Sequence, residues 1–212
     1  GTTGQVHRWE ITKAEESAEA EFKPLADLEG HGGWIQCVVF APSGNRVFTA
    51  DSWGKLCAWD YAAAEAQPVW EHAEAHGAWI RNVAVSFDGK TLATASRDGH
   101  VKLWDAQTGK QLADLTEHHE DVYSVAFSPD GKTLASGDFM GNIKLWDVAT
   151  RKVVKELDGK IFSALERLQD CGGVRILLFV DGGKTLVAAG SEPTGGGTFQ
   201  GYPTIVTYDV AD

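Results

Sequence analysis

KLCAWD at residues 55–60, HVKLWD at residues 100–105 and NIKLWD at residues 142–147 are three versions of one segment, each closing on Trp-Asp. Their tryptophans, Trp59, Trp104 and Trp146, stand 45 and 42 residues apart. Self-similarity at such a period marks an array of one supersecondary unit, in which neighbours bury faces that no unit can bury alone.

Working outward from the first copy, His31 is followed by an alternating apolar run at 35–40, a Pro-Ser-Gly turn at 42–44, a run at 47–50, a turn of small residues, and a run at 56–59. The same order follows His76, with runs at 83–86, 92–95 and 101–104, and His118, with runs at 122–127, 134–137 and 143–146. Period-two alternation punctuated by turn residues predicts antiparallel strands joined as hairpins. Each His precedes its turn glycine, Gly44, Gly89 or Gly131, by 13 positions. A loop length held constant in this way implies that the His packs against something specific. A fourth run follows each Trp-Asp, at 68–70, 111–115 and 153–157.

Four antiparallel strands in a repeat of about 42 residues resemble one blade of a WD-repeat β-propeller. The fold class expected is therefore all-β. Complete blades are expected at 30–72, 73–115 and 116–157. Residues 1–29 read as the third and fourth strands of an earlier blade, 5–10 and 22–28, around an acidic insertion at 12–21. Residues 170–212 read as a degenerate, incomplete blade with strands at 174–180, 184–189 and 204–208, where Tyr208-Asp209 replaces Trp-Asp. Propellers of this family commonly close with about seven blades, so the expectation is a segment of a larger propeller whose remaining blades are its partners.

The resemblance also implies a buried hydrogen-bonded set in each blade: a His, a Ser or Thr on the second strand, an Asp in the next turn and the Trp. His76, Thr94, Asp98 and Trp104 match it in full. His31, Thr49 and Trp59 have Trp53 at the Asp position, and His118, Ser136 and Trp146 have Met140 there. Asp51 and Asp138 sit two residues early, and whether they substitute is open at this point. In the last blade Asp170 takes the His position and Ala188 the Ser/Thr position, and the turn after it is stretched through 192–203, which makes it the least rigid. A Ser-His-Asp catalytic reading of these sets fails, because they recur once per blade at packing positions and no GxSxG elbow accompanies them.

Function is expected elsewhere, at the entrance to each first strand. Three and five residues after the His position stand Trp34 and Gln36, Trp79 and Arg81, Asp121 and Tyr123, and Gly173 and Arg175. Equal parity on an extended strand puts each pair on one face, which in the WD-repeat family surrounds the central channel. Ser52, Arg97 and Phe139, one residue before the Asp position, join the same face. Aromatic and Arg side chains gathered on a surface have the composition of a binding hot spot. The competing reading is that Trp34 and Trp79 pack between blades.

Composition narrows the partners. Thirty acidic residues against 19 basic give a net charge of -11, which opposes phosphate neutralisation, so nucleic acid is not an expected partner. No apolar run is long enough to span a bilayer, so neither is a membrane. Cys37, Cys57 and Cys171 show no ligand or disulfide spacing, read as free thiols, and point to a reducing, cytoplasmic setting. The pair His118-His119 with Glu120 and Asp121 points in alternating directions and does not converge on a metal. Glycines 195–197 lack the Lys-Ser/Thr of a phosphate loop and read as a flexible loop. No cofactor or metal is expected. The function expected is a non-catalytic scaffold that presents a rigid propeller face to a protein or peptide. The alternatives are a propeller enzyme or ligand-binding propeller using the central channel, and a targeting domain of a larger enzyme. Asp121 is the one acidic residue among the eight entrance positions, which speaks against convergent catalytic carboxylates.

Overall fold

The computed structural model describes residues 4–12, 20–64, 66–163, 172–193 and 201–210. Strands β1 (Gln5–Thr12) and β2 (Glu21–Glu29) form a two-stranded sheet. Three four-stranded sheets follow: β3 (Ile35–Phe40) to β6 (Pro68–His72) through β4 (Arg46–Asp51) and β5 (Leu56–Asp60); β7 (Ile80–Val85) to β10 (Gln111–Leu115) through β8 (Thr91–Ser96) and β9 (Val101–Asp105); and β11 (Val122–Phe127) to β14 (Lys152–Asp158) through β12 (Thr133–Asp138) and β13 (Asn142–Asp147). A three-stranded sheet of β15 (Val174–Val180), β16 (Thr185–Pro193) and β17 (Gly201–Asp209) comes last. Every pairing is antiparallel and sequential, and the first strands β3, β7, β11 and β15 adjoin one another in that order. These are propeller blades set side by side, with their first strands along the inner rim.

The turns hold for local chemical reasons. Ser86 Oγ donates to Asp88 Oδ1 at 2.7 Å and accepts the Thr91 N–H at 2.9 Å, while Asp88 accepts the Lys90 N–H. Ser128, Asp130, Lys132 and Thr133 repeat this arrangement in the next blade. Ser86 therefore belongs to the turn, and β7 runs from Ile80 to Val85 rather than over the expected 83–86. The Asp of each Trp-Asp caps the turn into the fourth strand: Asp60 accepts from Ala62 N–H, Asp105 from Gln107 and Thr108, and Asp147 from Thr150.

The core lies between sheets rather than within them. Trp104 and Ile80 pack with Phe48, Ala50 and Ala58 of the preceding blade, and Trp146 packs with Ala93 and Ala95. Trp59 meets Leu28 of the two-stranded sheet. Trp104 and Trp146 thus face backward onto alanines that leave room for an indole, and Trp59 faces Leu28. Polar stitches join the same neighbours. Trp70 Nε1 donates to Ala106 O at 3.2 Å, Lys102 Nζ to Ala75 O at 2.8 Å, and Ser124 Oγ to Val174 O at 2.7 Å.

The end sheets differ in detail from the expectation. Strands β1 and β2 extend toward each other as far as the Thr12 to Glu21 pair, so most of the acidic insertion lies outside the described residues. Strands β16 and β17 pair out to Pro193 and Gly201, so part of the expected 192–203 loop is sheet. The remainder, with glycines 195–197, lies outside the described residues, as do Asp170 and Cys171. Ala188 is fully buried in the last core cluster, and Tyr208 sends its hydroxyl to Asp158 O at 2.8 Å.

Candidate functional site

Beneath the candidate surface, three His-hydroxyl-Trp chains repeat with one geometry. His31 Nε2 lies 2.6 Å from Thr49 Oγ1, which accepts the Trp59 indole N–H at 2.7 Å. The corresponding distances are 2.7 and 2.9 Å for His76, Thr94 and Trp104, and 2.7 and 2.8 Å for His118, Ser136 and Trp146. Asp98 Oδ2 reaches His76 Nδ1 at 3.0 Å. Asp51 Oδ2 reaches His31 Nδ1 at 2.8 Å, and Asp138 Oδ2 reaches His118 Nδ1 at 2.9 Å. The question left open by the sequence is thereby answered: an Asp at the end of the second strand meets the same imidazole nitrogen as an Asp two residues later in the turn. All three blades hold a complete set, not the middle one alone.

The substitution works because the strand-end position already faces the His. In the middle blade Ser96 occupies it and accepts the Asp98 N–H at 3.2 Å, as Asp51 accepts the Trp53 N–H at 2.8 Å and Asp138 the Met140 N–H at 2.9 Å. Moving the carboxylate back releases the turn position for another side chain. Trp53 fills it and stands 70% exposed. Its ring lies on the backbone of Gly32 and Gly33, where a Cβ at Gly32 would come within 2.4 Å of it.

These networks carry a pH dependence. Burial pushes the His76 imidazole below its ordinary value, against the pull of Asp98. Desolvation opposes ionisation of Asp98 and Asp51, yet the hydrogen bonds from His76 and His31 and from nearby backbone N–H groups hold both carboxyls below the usual range. In each case the unfolded chain binds protons that the fold refuses, so stability falls with pH. The loss is expected to begin below 6.5, through His76, with Asp121 offsetting part of it just above 3.8 because burial raises its carboxyl, and to steepen below 3.8, through Asp98 and Asp51. Melting temperatures across that range check this, and a constant value would contradict it.

Above the sets, the entrance residues meet as a stacked row. The pairing of first and second strands slips by one residue at Gln36, Arg81, Tyr123 and Arg175, which makes each of them the extra residue of a β-bulge. A bulge re-aims its side chain, so the shared face arises from four aligned bulges and not from the simple alternation expected of the strand. Arg81 lies 5.0 Å from the Trp79 ring centroid and 4.7 Å from that of Tyr123, and Arg175 lies 4.1 Å from that of Tyr123. Trp34 meets Trp79 across a blade boundary at 6.2 Å, and Phe139 meets Tyr123 at 5.8 Å. Asp121 sits 3.6 Å from Arg81 and 3.5 Å from Arg97.

Exposure separates these residues into two layers. Trp34 is 54% exposed and Arg97 is exposed, while Trp79, Gln36, Arg81, Asp121, Phe139 and Arg175 are partly covered. Tyr123, expected on the presented face, is buried at 8%, because two guanidiniums and Phe139 enclose its ring. Ser52 is buried as well: its hydroxyl accepts the Trp34 N–H and its own N–H donates to Trp34 O, both at 2.9 Å. Both residues support the surface from beneath. Gly173, with φ 83°, is buried and packs against Phe139. Trp53 escaped notice as a surface residue, and its signal was the loss of Asp from the turn position.

Burial pushes the Cys37 and Cys57 thiols up to about 12, which makes both unreactive. Among the described residues, no group of three or more His, Cys, Asp or Glu is placed to hold a metal, and no helix is long and apolar enough to cross a membrane.

The family model for the WD domain, G-beta repeat, matches residues 22–60, 67–105 and 109–147. The chain belongs to the WD40 repeat family. Each matched WD40 unit begins at or just before the last strand of one sheet and ends with the third strand of the next, so the sequence repeat straddles two blades and ties them covalently. No match was found among curated proteins. Two similar solved structures are titled "Structure of U3-55K" and "Crystal structure of RRP9 WD40 repeats", at 25% and 26% identity. Both superpose with a TM-score of 0.65 over 77% of this chain, covering 48% and 47% of theirs. The chain thus spans about half the length of these structures.

Proposed function

We propose that this chain is a non-catalytic interaction scaffold that docks a protein or peptide on the rim carrying Trp34, Trp53, Trp79 and Arg97. The WD40 fold commonly serves as a protein-interaction scaffold. The observation that carries the finer reading is the row itself: aromatic and Arg side chains from three blades and the last sheet stack into one surface, held from below by Tyr123 and Ser52. Trp34 and Trp53 are large, rigid and more than half exposed, which is the profile of anchor residues before a partner covers them.

The test is selection of binders from a displayed library of random peptides, followed by titration against variants. Trp34→Ala is expected to weaken the selected binders by about tenfold or more while leaving thermal unfolding nearly unchanged. Affinity that survived both Trp34→Ala and Trp79→Ala would place docking elsewhere. A large loss of stability in Trp34→Ala would favour packing between blades.

A further inference from the structure

The chain is strongly acidic, yet its candidate docking rim is not. Arg81, Arg97 and Arg175 meet there around Asp121, with Asp98, held by His76, as the next carboxylate behind it, in a molecule of net charge -11. The contrast is local and has a structural cause. Two of the three arginines are bulge residues aimed onto the rim, and both of their guanidiniums lie against the Tyr123 ring.

We infer that the rim selects an acidic peptide segment, one that sets Asp or Glu side chains against Arg97 and Arg81 while apolar neighbours lie on Trp34 and Trp79. This rests on the docking reading above and adds the chemistry of the partner. Three observations converge on it. Arg81 Nε is buried without a hydrogen-bond partner among the described residues, a donor that an incoming carboxylate is chemically suited to satisfy. Arg97 reaches over the rim from the turn, and its Nε meets Asp121 at 3.5 Å, a long contact that a better-placed anion would compete with. Asp121 meets Arg81 and Arg97 only at 3.6 and 3.5 Å, so the carboxylate of the row is a loosely held counter-charge. Guanidiniums already stacked on rings are pre-organised, which lowers the cost of fixing them on a ligand. The net negative charge of the molecule disfavours acidic chains in general, which favours the Arg-bearing patch by contrast.

The experiment is the same random-peptide selection, read for composition and for charge dependence. Peptides that depend on Trp34 or Trp79 should be enriched in Asp and Glu over the starting library. Their affinity should fall about tenfold in Arg97→Glu, the loss expected for a charge-assisted contact, and should fall with added salt. Asp121→Asn should instead tighten them, because it removes the competing anion; a role confined to supporting the rim would weaken them. Thermal melting of each variant controls for folding. Trp-dependent peptides with no acidic enrichment would overturn the acidic partner and leave docking intact. The absence of any Trp-dependent peptide would overturn both. Tighter binding of single-stranded RNA than of the selected peptides, lost in Arg97→Glu, would also overturn the acidic partner.

Discussion

Asp51→Ala is expected to lower stability by about 3 to 5 kcal/mol, or roughly 10 °C in melting temperature for a chain of this size. The carboxylate is fully buried and accepts from His31 Nδ1 at 2.8 Å, Trp53 N–H at 2.8 Å and Lys55 N–H at 3.0 Å. Alanine leaves those donors without an acceptor in a site that water does not reach, and His31 loses the contact that orients it toward Thr49 and Trp59. The middle blade supplies a rescue. There Ser96 holds the strand-end position and Asp98 the turn position. Asp51→Ser alone should therefore be destabilising, and Trp53→Asp added to it should restore most of the loss. The indole given up is 70% exposed, so its removal costs little core. A double variant no more stable than Asp51→Ser would show that the two carboxylate positions are not interchangeable.

Gly54→Ala should be nearly as damaging, at about 3 kcal/mol or more. Gly54 has φ 84°, and a Cβ there would lie 2.1 Å from His76 O, a backbone atom of the next blade. Neither side can yield cheaply, because Gly54 O accepts the His76 N–H at 3.1 Å and the strands on both sides are paired. Gly44 is the control. Its φ of 75° is similar but nothing lies within 4 Å of the added carbon, so Gly44→Ala should cost only about 1 kcal/mol. Chemical denaturation of the two variants separates inter-blade approach from backbone conformation. Equal losses would assign the whole effect to φ.

The strands were largely legible because alternation and turn residues are local signals. The three central blades follow the expected order to within a few residues; β7 starts three residues before the expected 83, and at its other end Ser86 enters a side-chain-closed turn. The His, hydroxyl and Trp positions were legible for the same reason, since each lies at a repeating offset. The acidic member was less so. Asp51 and Asp98 differ by two positions in the repeat, yet both end within hydrogen-bond reach of an imidazole Nδ1, because the chain turns between those positions. The entrance residues were named through an incomplete reason. Parity on a strand pointed to Gln36, Arg81, Tyr123 and Arg175, whereas bulges at all four aim them.

By itself, then, the sequence determined the blade: where strands begin and turn, which Trp repeats, and which side chains stand at the entrance. These follow from backbone preference and periodicity along a few tens of residues. Only the tertiary structure decided which Asp completes each His, that Tyr123 is buried while Trp53 is presented, and that three arginines share one surface around the half-covered Asp121. Those outcomes depend on contacts between blades. Side chains far apart in the chain divide the same space there, and no local pattern records which of them water still reaches.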